Sequence, residues 1–290
     1  MKFDKNTKIL IVGLGLIGGS YAKALSDEGY FVGAIDKKKS SVEYALKNGL
    51  IRVGETSVKK DFVKDFDLIV FALYPHDFIN WIKEYQSSIK PGALITDVTG
   101  VKSFVVENVQ KILRGDLEFV GAHPMAGKEV SGVENADPKI FVGANYIVTP
   151  TKRNTDENVQ AVKDLGRALG FERISSLSPE EHDETVGFLS HLTHCIAVSL
   201  MVSKKSHHLA EYTGDSFRDL TRIAKINDEM WSELFLANKD ELLKQMDLFE
   251  EKFNQLKEDI KNDNREKIRE TLRESTARRK VFDKDAKETK

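Results

Sequence analysis

Residues 13–18 read Gly13-Leu14-Gly15-Leu16-Ile17-Gly18, which is the spacing G-x-G-x-x-G. An apolar run, Lys8–Val12, comes directly before this segment, and a helical pattern, Ser20–Glu28, comes directly after it. In such a strand–turn–helix context the first glycine permits a tight turn, the second lets a pyrophosphate approach the backbone, and the third lets helix and strand pack closely. The phosphates then meet the free N–H groups at the helix N-terminus. The segment therefore predicts a dinucleotide-binding α/β domain.

The identity of the dinucleotide depends on the end of the second predicted strand, where Asp36 lies 23 residues after Gly13. A carboxylate at this place accepts hydrogen bonds from the adenosine ribose hydroxyls and repels the additional phosphate of NADP. The lysines Lys37, Lys38 and Lys39 follow it and are able to bind a phosphate, but we expect NAD. The predicted cofactor-binding residues are the glycine segment, this aspartate and two positions at the end of a later strand: Gly13, Leu14, Gly15, Leu16, Ile17, Gly18, Asp36, Leu73 and Pro75.

Outward from the glycine segment, the first 175 residues alternate short apolar runs with helix-length stretches. The runs are nearly continuous in Val, Ile, Leu and Phe, which is typical of strands that are covered on both faces. Strand–helix repetition of this kind predicts an α/β fold with a Rossmann-type, doubly wound, mainly parallel sheet. The predicted strands are Lys8–Val12, Tyr30–Ile35, Asp67–Leu73, Ala93–Val98, Glu118–Ala122, Asn145–Thr149 and Phe171–Ser175.

From Ser178-Pro179 onward the pattern is helical, with Ser178 suited to cap a helix and Pro179 to occupy its first turn. Near the end of the chain six large apolar residues recur at alternating steps of four and three, namely Leu242, Met246, Phe249, Phe253, Leu256 and Ile260. Such a stripe packs along another helix, either inside the same chain or in a second subunit. The sequence therefore predicts a dinucleotide-binding domain at 1–176 and an all-α domain at 177–290.

The composition excludes several classes of partner. The 290 residues include 44 Lys and Arg against 46 Asp and Glu, so the net charge is only −2. This balance gives no general attraction for nucleic acid or an anionic membrane, and we read no apolar stretch that approaches the ~20 residues of a membrane span. The single cysteine, Cys195, cannot form an internal disulfide, which fits a reducing compartment. We expect a cytoplasmic protein with a small-molecule substrate.

A second informative segment is His123-Pro124-Met125-Ala126-Gly127, which follows the predicted strand Glu118–Ala122. Ligands of open α/β sheets bind at the carboxyl ends of the strands, so we interpret His123 as a catalytic residue. Glu129 comes six residues later. It either orients His123, lines the pocket or caps a following helix.

These elements, with the loop 97–102 and the segment Phe-Arg-Asp-Leu-Thr-Arg-Ile-Ala at 217–224, resemble the prephenate/arogenate dehydrogenase family over nearly the whole chain. The resemblance implies oxidative decarboxylation of prephenate to 4-hydroxyphenylpyruvate, with reduction of NAD and release of CO₂, on the way to tyrosine. It also implies a homodimer joined through the helical domain. Two alternatives stay open: an arogenate dehydrogenase, and a non-catalytic NAD-sensing dimer that would have no use for the histidine and arginine motifs.

By the same resemblance, the catalytic histidine of the family corresponds to His123 and its substrate-binding arginine to Arg222. The alternative for Arg222 is a surface salt bridge. A neutral imidazole is suited to accept the proton of the substrate hydroxyl, and such general-base help is typically worth ~10²–10⁴ in rate. A guanidinium binds a carboxylate through two parallel hydrogen bonds and keeps its charge in a closed site.

Further pocket residues come from the helical domain. His191 and His194 are three apart and share a helix face, but a metal site would need more nearby ligands, so we expect no metal. The resemblance places one of the two in the substrate pocket, with His191 favoured. Trp231 resembles the pocket tryptophan of the family, and burial in the core is the alternative for it. Many relatives carry a loop serine where this chain has Gly100, so either Thr99 or a water molecule would supply that hydroxyl.

Overall fold

The computed structural model describes residues 1–205 and 208–282. The chain divides into two compact units, Met1–Lys239 and Asp240–Lys290. The sequence prediction divided it at 176/177, where the strands end. The helices between the two positions belong to the first unit because they are bonded to it: in the first of them, Asp183 accepts hydrogen bonds from the backbone N–H groups of Lys102 and Ser103.

The main sheet confirms the predicted doubly wound topology. Among the described residues it has six parallel strands in the order β3-β2-β1-β4-β5-β6, and alternate residues of each central strand enter separate apolar clusters on its two faces. The short edge strand β3 was not predicted, because Val53-Gly54-Glu55 carries no apolar run. The strands are β1 (Lys8–Val12), β2 (Phe31–Ile35), β3 (Val53–Glu55), β4 (Leu68–Phe71), β5 (Leu94–Asp97) and β6 (Glu118–Phe119).

Helices connect these strands and cover the sheet. The first begins directly at the glycine segment, and the fourth has Pro75 at its start, where a missing N–H costs nothing. The helices of this part are α1 (Leu16–Asp27), α2 (Lys39–Lys47), α3 (Lys60–Val63), α4 (Pro75–Tyr85), α5 (Ser103–Ile112) and α6 (Asp156–Ala168).

A second, three-stranded sheet of described residues contains β7 (Gly121–Pro124), β8 (Asn145–Thr149) and β9 (Arg173–Ser176), with β7 antiparallel to β8. The strand predicted at Glu118–Ala122 is therefore two strands, and the chain changes sheet after Val120, whose N–H donates to Ile95 O. A side chain at Gly121 would overlap the hydroxyl of Thr149, which explains the glycine at this corner. His123 lies within β7, two residues beyond it.

The helical part begins as predicted. The Ser178 hydroxyl accepts from the N–H of Glu181, whose carboxylate accepts from the N–H of Ser178, which is a capping box. A π-helical turn, Gly187–Leu192, joins the first two helices into one continuous rod. The helices are α7 (Pro179–Val186), α8 (Thr193–Val202), α9 (Asp215–Thr221), α10 (Asp228–Ala237), α11 (Lys239–Lys261) and α12 (Arg265–Arg279).

The rod Pro179–Val202 is more apolar than the sequence prediction assumed. By length and composition it is able to cross a membrane, since an 18-residue window in it has a mean hydropathy of 1.5, and only 28% of that window is buried. Phe188 and Val202 are among the exposed apolar side chains along it, 55% and 73% exposed. His191 and His194 interrupt the apolar residues of this stretch, which concealed the property from a reading that sought an uninterrupted apolar run.

Candidate active site

The glycine segment forms a tight turn with one open side. Gly13 has φ +98°, and a side chain there would overlap Ala72 O. A side chain at Gly18 would overlap Gly13 O, so this glycine lets α1 pack against the turn. At Gly15, by contrast, an added Cβ would meet no atom of the described residues within 4 Å. The backbone at this glycine is therefore open to an incoming ligand.

The surroundings of this turn fit the phosphates and ribose of a dinucleotide. Gly15 begins α1 without any side-chain cap among the described residues, so the positive end of the helix is left for an anion. Asp36 accepts a 2.7 Å hydrogen bond from Leu14 N through Oδ2 and one of 2.7 Å from Lys38 N through Oδ1. Its carboxylate thus lies against the turn, where a ribose would sit. Leu73 packs against the turn at Gly13.

His123 is partly exposed, and its ring is bonded on the inner side to a second histidine. His123 Nδ1 lies 2.8 Å from Nε2 of His182, which is completely buried. Burial, together with the neighbouring His182, Lys102 and His191, holds the pKa of His123 well below the ordinary value of 6.5. The imidazole is therefore neutral at neutral pH and able to accept a proton.

The ring of His182 is hydrogen-bonded in turn to the side chain of the next residue, Asp183. His182 Nδ1 lies 2.8 Å from Asp183 Oδ1, and Asp183 also accepts from Lys102 N at 2.7 Å and Ser103 N at 2.8 Å. Burial raises the pKa of Asp183, but the bonds from His182 and from the two N–H groups outweigh it and lower the pKa. Burial lowers the pKa of His182. A neutral imidazole therefore stands between His123 and an ionised carboxylate.

A buried ion pair lies next to these hydrogen-bonded residues. In it, Lys102 Nζ is 2.5 Å from Asp97 Oδ2, and both side chains are fully buried. Thr99 belongs to it: its hydroxyl accepts from Lys102 Nζ at 3.0 Å and lies against Asp97 Oδ2 and Val101 O. Asp97 Oδ1 accepts from Ala122 N at 3.0 Å, beside His123. The hydroxyl of Thr99 is thus engaged away from the histidine.

Gly100 faces the histidine directly. An added Cβ would lie 3.8 Å from His123 Cε1 and 3.5 Å from the methyl groups of Leu234, which are ordinary contact distances. Position 100 is therefore close enough for a short polar side chain to reach the ring of His123.

Arg222 and Glu129 form an ion pair between Arg222 Nη1 and Glu129 Oε1. Arg222 is 64% exposed and Glu129 37% exposed, so the guanidinium keeps donors that face solvent. The structure shows Glu129 in contact with the arginine, which was not among the three roles considered for it from the sequence.

The two histidines of the apolar rod have different surroundings. His191 is buried, its Nδ1 accepts from Asn238 Nδ2 at 3.2 Å, and burial lowers its pKa to about 4. His194 is half-buried and stacks on Trp231 with ring centres 3.7 Å apart, and the positive charge of Arg222 is among the causes that lower its pKa, after burial. Asn238 also donates to Asp183 O at 2.9 Å. The predicted residues thus belong to one connected set.

The sequence prediction missed His182, Asp183 and Lys102 as individual residues. A signal for the first two exists, because Pro179, His182, Asp183 and Val186 are the buried positions of α7. Two ionisable residues at such positions indicate a buried polar network rather than packing alone. Lys102 lay inside the quoted loop, but its burial depends on the tertiary fold.

Comparison with known families and structures gives consistent results. The sequence-family model of the prephenate dehydrogenase nucleotide-binding domain matches residues 21–173. The sequence-family model of the prephenate dehydrogenase dimerization domain matches residues 178–274. The chain is 34% identical to a prephenate dehydrogenase of Bacillus subtilis over 82% of its own length and 66% of that protein, so it spans about two thirds of this relative.

Two solved structures resemble nearly the whole chain. A prephenate dehydrogenase from A. aeolicus, in complex with hydroxyphenyl propionate and NAD⁺, is 34% identical and has a TM-score of 0.87, covering 96% of this chain and 98% of that one. An arogenate dehydrogenase from Synechocystis is 25% identical with a TM-score of 0.82, covering 96% and 100%.

Proposed function

Because the chain belongs to the prephenate dehydrogenase family, we propose that it oxidatively decarboxylates prephenate to 4-hydroxyphenylpyruvate with release of CO₂, in the biosynthesis of tyrosine. The observation that carries this proposal is the connected set of His123, His182, Asp183, His191 and His194 with its ring and charge contacts to Trp231 and Arg222. It contains a neutral base, and the cation of Arg222 is paired with Glu129 and lowers the pKa of His194 of the same set. A base and a cation are the two groups that this substrate needs.

NAD is the proposed cofactor. When bound, it would accept the hydride that leaves the hydroxyl-bearing ring carbon. The open backbone at Gly15, the uncapped start of α1 and the carboxylate of Asp36 on the turn fit its pyrophosphate and ribose. The carboxylate disfavours the additional phosphate of NADP, and one similar structure contains NAD⁺.

His123 is the proposed general base. The C–H bond at the ring carbon breaks with its electron pair leaving as hydride, and the hydroxyl proton goes to the imidazole. The bond to the ring carboxylate then breaks, CO₂ departs, and its electron pair completes the aromatic ring. The phenol oxygen regains a proton, so the base is restored. A neutral His123 is required at the first of these steps.

Arg222 is the proposed carboxylate-binding residue. Glu129 holds one side of the guanidinium, and the remaining donors are suited to a carboxylate through two parallel hydrogen bonds. Between the two histidines of the rod, we now favour His194 as the one facing the substrate, because it is half-buried, stacks on Trp231 and is influenced by Arg222. His191 is buried against Asn238.

A water molecule, rather than Thr99, is proposed to supply the hydroxyl that relatives take from a serine. The Thr99 hydroxyl is engaged with Asp97, Val101 and Lys102, whereas Gly100 leaves space beside His123 Cε1.

We also propose that two copies associate through the helical part and that the protein is cytoplasmic. The matched helical domain is described as a dimerization domain, and the stripe on α11 leaves Met246, Phe253 and Ile260 39%, 59% and 59% exposed. A second subunit accounts better than lipid for the apolar rod, because His182, Asp183 and His191 of the same rod are bonded to buried protein groups. Sedimentation of the purified chain without detergent tests the association: a dimer supports it, and a monomer contradicts it. Recovery of the chain in the membrane fraction of lysed cells would contradict the cytoplasmic location.

The test of the reaction is NADH absorbance after adding prephenate, arogenate, or prephenate with NADP in place of NAD. Fastest turnover of prephenate with NAD supports the proposal. Faster turnover of arogenate would assign the activity of the Synechocystis relative instead. Binding of NADH without turnover of either substrate would favour a non-catalytic NAD-sensing dimer, although that role gives the base and the cation no purpose.

A further inference from the structure

A polar chain runs inward from His123 through side chains that no sequence motif had singled out. It consists of the Nδ1–Nε2 contact to His182 and the Nδ1–Oδ1 contact to Asp183, both 2.8 Å long. His182 is fully buried, and Asp183 is 2% exposed. Buried polar groups need defined partners, so each hydrogen atom in this chain has a definite place.

The inner end of the chain fixes the direction of the hydrogen bonds. Asp183 accepts the backbone N–H of Lys102 on Oδ1 and that of Ser103 on Oδ2. Two backbone donors favour the carboxylate, which has no hydrogen to donate. The Oδ1···Nδ1 contact is therefore a hydrogen bond only if His182 carries its proton on Nδ1.

The outer end follows from the same logic. A buried neutral His182 with its proton on Nδ1 has a lone pair on Nε2. His123 must then donate from Nδ1, which leaves a lone pair on its own Nε2. In the reversed arrangement, an unprotonated His182 Nδ1 would face the carboxylate at 2.8 Å with two lone pairs opposed, which costs the bond and adds repulsion.

We propose that His182 and Asp183 are positioning residues that hold His123 as the tautomer with its proton on Nδ1, so that Nε2 is the atom that takes the substrate proton. Neither residue touches the substrate. The kinetic consequence rests on the proposed dehydrogenase function, whereas the tautomer itself does not.

The tautomer is tested without substrate, by NMR of the full chain labelled with ¹⁵N in its seven histidines. The signals missing from the His123→Asn spectrum assign that ring. We expect a protonated Nδ1 and an unprotonated Nε2 at neutral pH. The reverse pattern would overturn the proposal.

Asp183→Asn removes the charge that fixes the direction of these hydrogen bonds. The variant should shift His123 toward the tautomer with its proton on Nε2. With prephenate and NAD we expect kcat to fall roughly 10²-fold, within the usual contribution of a general base, while the KM of prephenate changes less than about twofold, because the lost effect belongs to the transition state. A merely structural role would change KM or folding and leave the tautomer of the folded fraction as it was.

Asp183 also holds the start of α5 through Lys102 and Ser103, so its variant is able to affect folding. His182→Phe keeps a ring in the same place and spares those two bonds, and should give the same tautomer shift and loss of kcat. His182→Gln, which restores an acceptor, should recover part of both. The exposed His208–Glu211 pair has a similar 3.0 Å contact, and His208→Gln should change neither.

Unchanged His123 signals in both Asp183→Asn and His182→Phe would overturn the proposal. A wild-type chain that shows the Nδ1-protonated tautomer but no turnover of prephenate or arogenate would refute the proposed function while supporting the arrangement of the three residues.

Discussion

The Nδ1 atom of His123 is 2.8 Å from the Nε2 atom of His182, so the partly exposed histidine of the candidate active site is hydrogen-bonded to one that is wholly buried. A base in contact with solvent alone would change tautomer freely. Here a group inside the protein decides which nitrogen is available.

His123→Asn is expected to lower kcat by ~10²–10⁴, because the amide side chain is unable to accept the hydroxyl proton. The KM values of prephenate and NAD should change little. The ¹⁵N NMR spectrum and the melting temperature should show that the variant is folded. Steady-state NADH assays check this. Near-normal turnover would remove His123 from its proposed role.

The pH dependence of the rate should reflect the environment of His123. Because burial and neighbouring groups lower its pKa well below 6.5, the imidazole stays neutral as the pH falls through 6.5 and becomes protonated only below that. We expect kcat/KM to be flat from pH 8 to about the ordinary histidine pKa of 6.5 and to decline at lower pH. A decline centred at or above 6.5 would contradict the lowered pKa.

Arg222→Gln is expected to raise the KM of prephenate roughly 10- to 100-fold, which is the usual worth of a hydrogen bond to a charged group. The KM of NAD should not change. Glu129→Gln is the matched variant, since it removes only the partner of the guanidinium, and its effect on the KM of prephenate should be several times smaller. An equal KM in wild type and Arg222→Gln would assign the carboxylate to another residue.

Gly100→Ser and Gly100→Ala form a pair that differs by one hydroxyl. A Cβ fits at 3.5 Å from Leu234 and 3.8 Å from His123 Cε1, so both variants should fold. The alanine displaces the proposed water without replacing its hydrogen bond, and the serine replaces it. We expect kcat of the serine variant to exceed that of the alanine variant roughly 5- to 10-fold, the net worth of one hydrogen bond. Equal rates would show that no hydroxyl is needed there.

Asp36→Asn keeps an acceptor for Leu14 N but removes the charge that opposes an additional phosphate. The ratio of kcat/KM for NAD to that for NADP should fall about tenfold, with kcat for NAD largely retained. Assays with both cofactors measure it. An unchanged ratio would mean that selectivity comes from elsewhere, with the nearby exposed lysines the next residues to vary.

The sequence predicted the parts of the fold that local patterns determine. The glycine segment, the apolar strands and the helix cap at Ser178 each carry their signal within a few residues, and the main sheet and the start of α7 agree with them. The change of sheet at Gly121 was missed, because an apolar run does not reveal which neighbour it pairs with. The need for a glycine there arises from Thr149, almost thirty residues away.

The same holds for the candidate site: local patterns identified some of its residues, and tertiary contacts determine the rest. His123 was found because its segment follows the predicted strand Glu118–Ala122, although the structure places it within β7. Its hydrogen bond to His182 joins residues 59 positions apart. The engagement of the Thr99 hydroxyl with Lys102 was equally hidden, since a short loop offers it many partners. Spacing indicated that His191 and His194 belong together, and only their tertiary contacts distinguish the buried one from the one stacked on Trp231.

The π-helical turn at Gly187–Leu192 determines how the side chains of α8 are rotated about the rod axis relative to those of α7. A turn of this kind amounts to one residue more than a regular helix holds, and each residue turns an α-helix by about 100°. The upstream half directs Asp183 toward the start of α5, and the downstream half directs His194 toward Trp231. Shortening this stretch by a single residue would leave the base and its buried partners in place and swing the His194 ring away from the indole, separating the histidine that stacks on Trp231 from the base without replacing either side chain.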